Sequence, residues 1–171
     1  MNDRSSEIWN RILRAEQDEN LPAVKPRAGK KEAAHSDHWA SPVLLERAAY
    51  LRKLAKLADG QASETLREYP QHATMLSFRA RDGEAEVHEQ CTDLFLVLDG
   101  RATLVTGGLV VDSRTVGPGE TRGSAIEGGS RQELRAGDVA HVPAGVPHQM
   151  LVRGDKTFTS FVVKIAQTLA E

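Results

Sequence analysis

The sequence predicts an all-β barrel or sandwich that follows a polar arm and one α-helix. Three observations support this. From residue 61 onward, short runs rich in Val, Leu, Phe and Thr (TMLSFRA, AEVHE, DLFLVL, RATLVT, GLVVDS, RQELRA, DVAHVP, HQMLV and FTSFVVKI) are mostly separated by Gly, Pro, Asp or Ser. That alternation of strand formers and turn formers marks antiparallel β domains. No helix-length periodic segment interrupts the runs, which excludes parallel βαβ units. All but Gly29 of the 14 glycines lie from Gly60 onward, where turns demand positive φ.

The elements follow in order. Residues 1–40 form a polar arm. Within it, Ser6 to Glu16 carry Ile8, Trp9, Ile12 and Leu13 on one helical stripe, and Pro22, Pro26 and Gly29 then break any regular pattern. The arm either packs on a partner subunit through Trp9 and Trp39 or is loosely ordered. Residues 41–60 form an amphipathic helix. Ser41 is a good N-cap, Pro42 suits the first helical position, and Gly60 supplies a left-handed stop. Leu44, Ala48, Leu51, Ala55 and Ala58 recur at helical spacing, while Arg47, Arg52, Lys53 and Lys56 form a solvated face. Residues 61–171 form the barrel. SETLREY before Pro70 fits a strand or a helical turn equally. Residues 113–130, SRTVGPGETRGSAIEGGS, read as a long Gly/Ser-rich connection. It would be a lid over a barrel mouth, an arm to a second subunit, or an inert hairpin.

Composition removes several classes of function. The 171 residues fit one domain with a real core. The single cysteine, Cys91, excludes an intrachain disulfide framework and any CxxC metal site. A net charge of -2 gives no electrostatic reason to bind nucleic acid or an anionic membrane, and aromatics at 5% argue against base stacking. No window approaches the roughly 18 apolar residues of a membrane span. The opening MNDRSSEIWNR lacks the apolar core of a secretory signal, so a cytoplasmic location is expected. No Ser-His-Asp order, phosphate loop or HExxH occurs.

Two clusters carry the chemistry. The first runs from Gly83 through His88, Gln90, Cys91 and Asp93 to Gly100, and the second from Gly137 through Pro143 and Gly145 to His148. In a strand, residues two apart share a face, so His88 and Gln90 point the same way. Asp93 lies on the wrong face of a continuous strand, and a turn at Cys91–Thr92 would reset it. PAGVP forces a turn just before His148. Two histidines and a carboxylate at strand starts then converge in a barrel interior. That set holds Fe(II) or, with a further ligand, Mn, Ni or Zn. Gln90 would add a neutral oxygen or touch a substrate, and His72, near a strand start, would line the mouth. His35, His38 and His141 are expected to be solvated or packed.

GDVAHVPAGVPH resembles the second motif of the cupin superfamily, which reads G, five residues, P, one residue, G, two residues, H. Gly137, Pro143, Gly145 and His148 all match. The first motif of that family reads G, five residues, H-x-H, three or four residues, E, six residues, G. Here His88 and Gly100 match, Gln90 replaces the second His, Asp93 replaces Glu, and two spacings are one residue shorter. The resemblance covers roughly residues 70–165 and implies a jelly-roll β-barrel. In metal-binding cupins the ligands are the three histidines and the glutamate. Residue by residue, this implies His88, His148 and Asp93 as ligands, with Gln90 at the position of the lost His.

The expected function is a small cupin with a divalent metal (Fe, Mn, Ni or Zn) at His88, Gln90, Asp93 and His148. It would bind and transform a small organic molecule by dioxygenase-like or isomerase-like chemistry. The alternative is a non-catalytic ligand-binding cupin with a degenerate or lost metal site. A third reading is an interaction protein assembled through the arm and the helix. A homodimer is expected in each case.

Overall fold

A computed structural model describes residues 36–167. The helix, α1 (Ser41–Ala55), begins at its expected cap, so the observed cap lies one residue earlier. Ala40 holds the N-cap position with extended backbone and no side-chain cap, and Pro42 lies in the first turn. Leu44, Ala48, Leu51, Leu54 and Ala55 are buried against Leu66, Leu76 and Phe78 of the first two strands. The apolar stripe therefore finds its surface within the same chain, not on a partner. The basic face is not simply solvated either. Arg47 pairs with Glu64, and Arg52 lies 5.3 Å over the Phe78 ring. Of the expected arm, only residues 36–40 are described. There Trp39 packs on Phe161 at 5.6 Å and Asp37 pairs with Arg67 at 2.9 Å. The proposed stripe around Trp9, and His35, lie outside the described residues.

Twelve strands follow among the described residues. They are β1 (Gln61–Glu68), β2 (His72–Arg79), β3 (Ala85–His88), β4 (Cys91–Thr106), β5 (Leu109–Val111) and β6 (Arg114–Gly117), then β7 (Glu120–Gly123), β8 (Ala125–Glu127), β9 (Ser130–Arg135), β10 (Val139–Val142), β11 (His148–Leu151) and β12 (Phe158–Ala166). SETLREY is thus resolved as strand. The runs DLFLVL and RATLVT form one 16-residue strand, β4. Its first part pairs with β12 and β10, and its second part with β11 and β9. β4 is therefore shared by two layers, β1-β2-β12-β4-β10 and β9-β4-β11-β3-β7-β6. Gly100 lies between the two parts with φ +83°, where a Cβ would fall 1.9 Å from the carbonyl oxygen of Thr157. No other residue fits that crossing.

The two layers enclose Val97, Ala102, Leu104, Leu134, Val142, Met150 and Phe158. Residues 113–130, the long Gly/Ser-rich connection, contain a hairpin of β6 and β7, one of its three expected forms. β6, β7 and β8 lie within them; β7 pairs with β3, and β8 pairs with β5. Among the described residues, no helix is long and apolar enough to cross a membrane.

Candidate metal centre in the barrel

Strand alternation decides which side chains enter the barrel. On β2, Thr74, Leu76 and Phe78 are buried on one face. Met75, Ser77 and Arg79 line a cavity on the other. On β12 the cavity takes Phe158, Ser160, Val162 and Lys164, and on β4 it takes Asp93 and Phe95.

The two sequence clusters meet through backbone hydrogen bonds. The PAGVP turn docks on the end of β3, where Gly145 N–H donates to the His88 carbonyl at 2.8 Å. β11 then pairs with β3 so that His148 lies directly opposite Glu86. Glu86 and His88, two apart on β3, share the inward face. The nitrogens of His88 and His148 and a Glu86 oxygen all lie within 4.8 Å of one another. Asp93 Oδ2 sits 3.4 Å from His88 Nε2 and 3.6 Å from His148 Nε2. Both histidines and Asp93 are almost fully buried.

The outer edge of each imidazole is already engaged. His88 Nδ1 contacts Glu120 Oε2 of β7 at 2.7 Å, and His148 Nδ1 contacts the Val146 carbonyl at 3.1 Å. A carbonyl only accepts, so His148 Nδ1 carries a proton, and its Nε2 faces the centre. That Nε2 is buried without a hydrogen-bond partner. A polar atom buried this way costs about 1–3 kcal/mol unless it finds a partner. Carboxylate or carbonyl behind an imidazole, with the free nitrogen in front, is how proteins orient metal-ligating histidines.

Lys164 adds a cation. It lies directly across from Asp93 in the β12–β4 register. Its Nζ donates to Asp93 Oδ1 at 2.8 Å and Oδ2 at 2.9 Å and lies 3.1 Å from His88 Nε2. Burial alone would raise the Asp93 pKa, but His148, His88 and Lys164 together hold it far below the carboxylate range. Burial likewise opposes ionisation of Glu86, yet His88, Arg122 and Arg79 outweigh it and hold the pKa at about 2. For His88, burial favours the neutral ring; Asp93 and Glu86 overcome it and raise the pKa to about 9. Burial raises the Cys91 thiol, whose sulfur lies 3.9 Å from Asp93 Oδ1.

His88, Asp93 and His148 thus converge as expected from sequence, and Gln90 and His72 do not join them. β3 ends at His88, and Glu89 and Gln90 form the turn into β4, two residues earlier than the turn expected at Cys91–Thr92. Gln90 is exposed there and lines no part of the cavity. His72 has the parity of Leu76 and Phe78, away from the cavity, and stacks on Tyr69 at 4.3 Å. His141 is exposed on β10 and His38 is exposed before the helix. Sequence reasoning missed Glu86, Glu120, Lys164, Arg79 and Arg122. The spacing of Glu86 and His88 was a usable signal, because the two-residue rule applies toward the N-terminus as well.

Comparisons place this architecture. No protein-family model and no curated protein matches the chain. Solved structures do. The protein TT1209 from Thermus thermophilus aligns with a TM-score of 0.51 at 17% identity, over 72% of this chain and 95% of its own. A cupin superfamily protein from Desulfitobacterium hafniense DCB-2 aligns at 0.45 and 18%, over 63% of this chain and 78% of its own. The fold is a cupin-type β-barrel. A hydroquinone 1,2-dioxygenase from Sphingomonas sp. TTNP3 also aligns, with a TM-score of 0.46 at 16% identity, over 61% of this chain and 65% of its own. At such identities the likeness is one of fold. The double-layered barrel, the crossing at Gly100 and the PAGVP turn bring two histidines and two carboxylates together.

Proposed function

We propose that this cupin binds a divalent metal through Glu86, His88 and His148, with Asp93 beside them, and uses the site to bind and transform a small organic molecule in the barrel cavity. The observation that carries this is the convergence of Glu86, His88 and the buried, unpartnered Nε2 of His148. Two imidazoles and a carboxylate with open positions suit Fe(II), and Mn, Ni or Zn with a further ligand. When bound, such an ion supplies Lewis-acid or redox chemistry to a ligand in the cavity. The chain's own residues supply the rest. Glu120 and the Val146 carbonyl orient the imidazoles, and Met75, Phe95 and Phe158 present an apolar wall to the ligand. Dioxygenase-like and isomerase-like reactions both fit this arrangement.

One observation favours a second reading. The Lys164 ammonium already bridges Asp93 and His88 Nε2, where it supplies a positive charge without a metal. On that reading the barrel is a metal-free ligand-binding module. Purification without added metal, elemental mass spectrometry and titration with Fe(II), Mn, Ni and Zn separate the two. Near-stoichiometric metal that is lost in both His88→Ala and His148→Ala supports the metal centre. Absence of bound metal, with no thermal shift on titration, would sink it in favour of the module.

A further inference from the structure

The cavity beside the metal centre holds two guanidinium forks that the protein pairs only loosely. Its volume is about 210 Å³. Arg79 from β2 and Arg122 from β7 approach Glu86 from two sides, each with a guanidinium nitrogen 3.8 Å from a carboxylate oxygen. Neither is at hydrogen-bond distance, so one carboxylate sits loosely between two forks. The Asp93 charge is matched by Lys164. Glu84 at the rim is taken by Arg114. Glu120 lies 3.4 Å from Arg122 but is shared with His88 Nδ1 at 2.7 Å, so both forks stay loosely paired, and a divalent ion would compete with them for Glu86.

The forks also have donors to spare. Arg79 makes one short hydrogen bond, from Nη1 to Gln61 Oε1 at 2.6 Å. Arg122 approaches its acceptors, Glu120 Oε2 and the Thr121 carbonyl, only to 3.4 Å. A guanidinium carries five N–H donors in a planar fork that matches a carboxylate. Arg79 is held in place by the absence of a side chain at Gly83, where a Cβ would lie 2.7 Å from Nη1. The lining also includes the apolar side chains of Met75, Phe95, Met150 and Phe158.

We propose that the cavity recognises a small organic carboxylate, with the carboxylate on Arg122 and Arg79 and the apolar body against Phe95, Met75 and Phe158. This rests on the reading of the cavity as a ligand site and names the class of ligand. The volume lies below the roughly 300–1,000 Å³ typical for drug-sized ligands, which selects short acids.

The test pairs acids with isosteric neutral amides, pentanoate with pentanamide and phenylacetate with phenylacetamide. Binding is read by saturation-transfer NMR and calorimetry on the full chain, and metal content is measured on the same samples. The wild type is expected to bind each acid at least tenfold more tightly than its amide. Arg122→Gln and Arg79→Gln should each abolish most of that preference. Gly83→Ala keeps every charge and only displaces the Arg79 guanidinium, and it should weaken acid binding several-fold with the amide unaffected. Equal binding of acid and amide overturns the proposal, as does a preference that survives all three variants. If metal is retained in those cases, the metal centre stands and only the carboxylate assignment fails. Absence of metal together with absence of any acid or amide binding overturns both.

Discussion

Replacing Lys164 with Met probes the centre most directly. The substitution keeps the length of the aliphatic stem and removes the ammonium that donates to both Asp93 oxygens at 2.8 and 2.9 Å. Asp93 is 2% exposed, so its carboxylate would face only the two imidazole nitrogens at 3.4 and 3.6 Å. Breaking a buried pair from one side costs about 3–5 kcal/mol. Lys164 keeps 30% of its side chain in solvent, which places the loss toward the lower end, about 3 kcal/mol. For a chain of this size that corresponds to a fall in Tm of roughly 6–12 °C in metal-free protein. A divalent ion should replace the lost charge. At a hundredfold excess over Kd it would return about 2.7 kcal/mol and nearly restore the Tm. Without the competing ammonium, metal should bind about tenfold more tightly, a difference of about 1.4 kcal/mol. Scanning calorimetry with and without chelator, and metal titration by competition with a fluorescent indicator, measure both effects. A metal-free variant as stable as the wild type would refute the pairing argument. An unchanged metal affinity would show that Lys164 does not compete at the site.

Three further outcomes are expected. Glu120→Ala removes the carboxylate behind His88 and should weaken metal binding about 10–100-fold while leaving the fold intact, as read by indicator competition and circular dichroism. Gly100→Ala forces a Cβ onto the Thr157 carbonyl at a positive φ, and it should lower soluble yield and Tm more than alanine at any exposed position of β4. The metal-free protein should be most stable between about pH 4.5 and 6.5. Glu86, held at about 2 instead of 4.5, contributes stability that is present above 4.5 and lost as pH falls toward 2. His88, raised from 6.5 to about 9, contributes stability that is complete below 6.5 and lost as pH rises through 9. Each shift corresponds to about 3 kcal/mol in total, and because the Glu86–His88 contact belongs to both, the two are not added. Urea unfolding of chelator-treated protein at pH 3, 5.5 and 9.5 measures this, and a flat profile would contradict the assigned network.

The fold is legible in the sequence because its signals are local. Short β-branched runs between turn formers specify strands whatever their partners, and a stripe of Leu and Ala after Pro42 specifies a helix. What sequence does not show is pairing. The two runs on either side of Gly100 read as separate strands because glycine usually ends one. Only the approach of Thr157 to within 1.9 Å of an added Cβ shows that this glycine lets one strand cross between layers. Residues 113–130 read as a connection for a related reason. Their glycines signal turns, and their three strands are so short that pairing with β3 and β5, not propensity, makes them strands.

The centre shows the same division between local and paired information. His148 is found from sequence because it sits in an intact motif, and His88 and Asp93 because a shortened form of the other motif still places a His and a carboxylate at strand ends. Gln90 is selected by the rule that residues two apart share a face, and that rule holds only while the strand continues. β3 stops at His88, so the rule selects Glu86 and leaves Gln90 in the turn. Lys164 and Glu120 cannot be found this way at all. Each reaches the centre through a neighbouring strand, Lys164 opposite Asp93 and Glu120 opposite His88, more than thirty residues away in sequence. Register therefore determines the charge at this centre as much as the motifs do. A one-residue slip of β12 would turn Lys164 outward and leave Asp93 buried beside two histidines, the state that Lys164→Met recreates without disturbing the sheet.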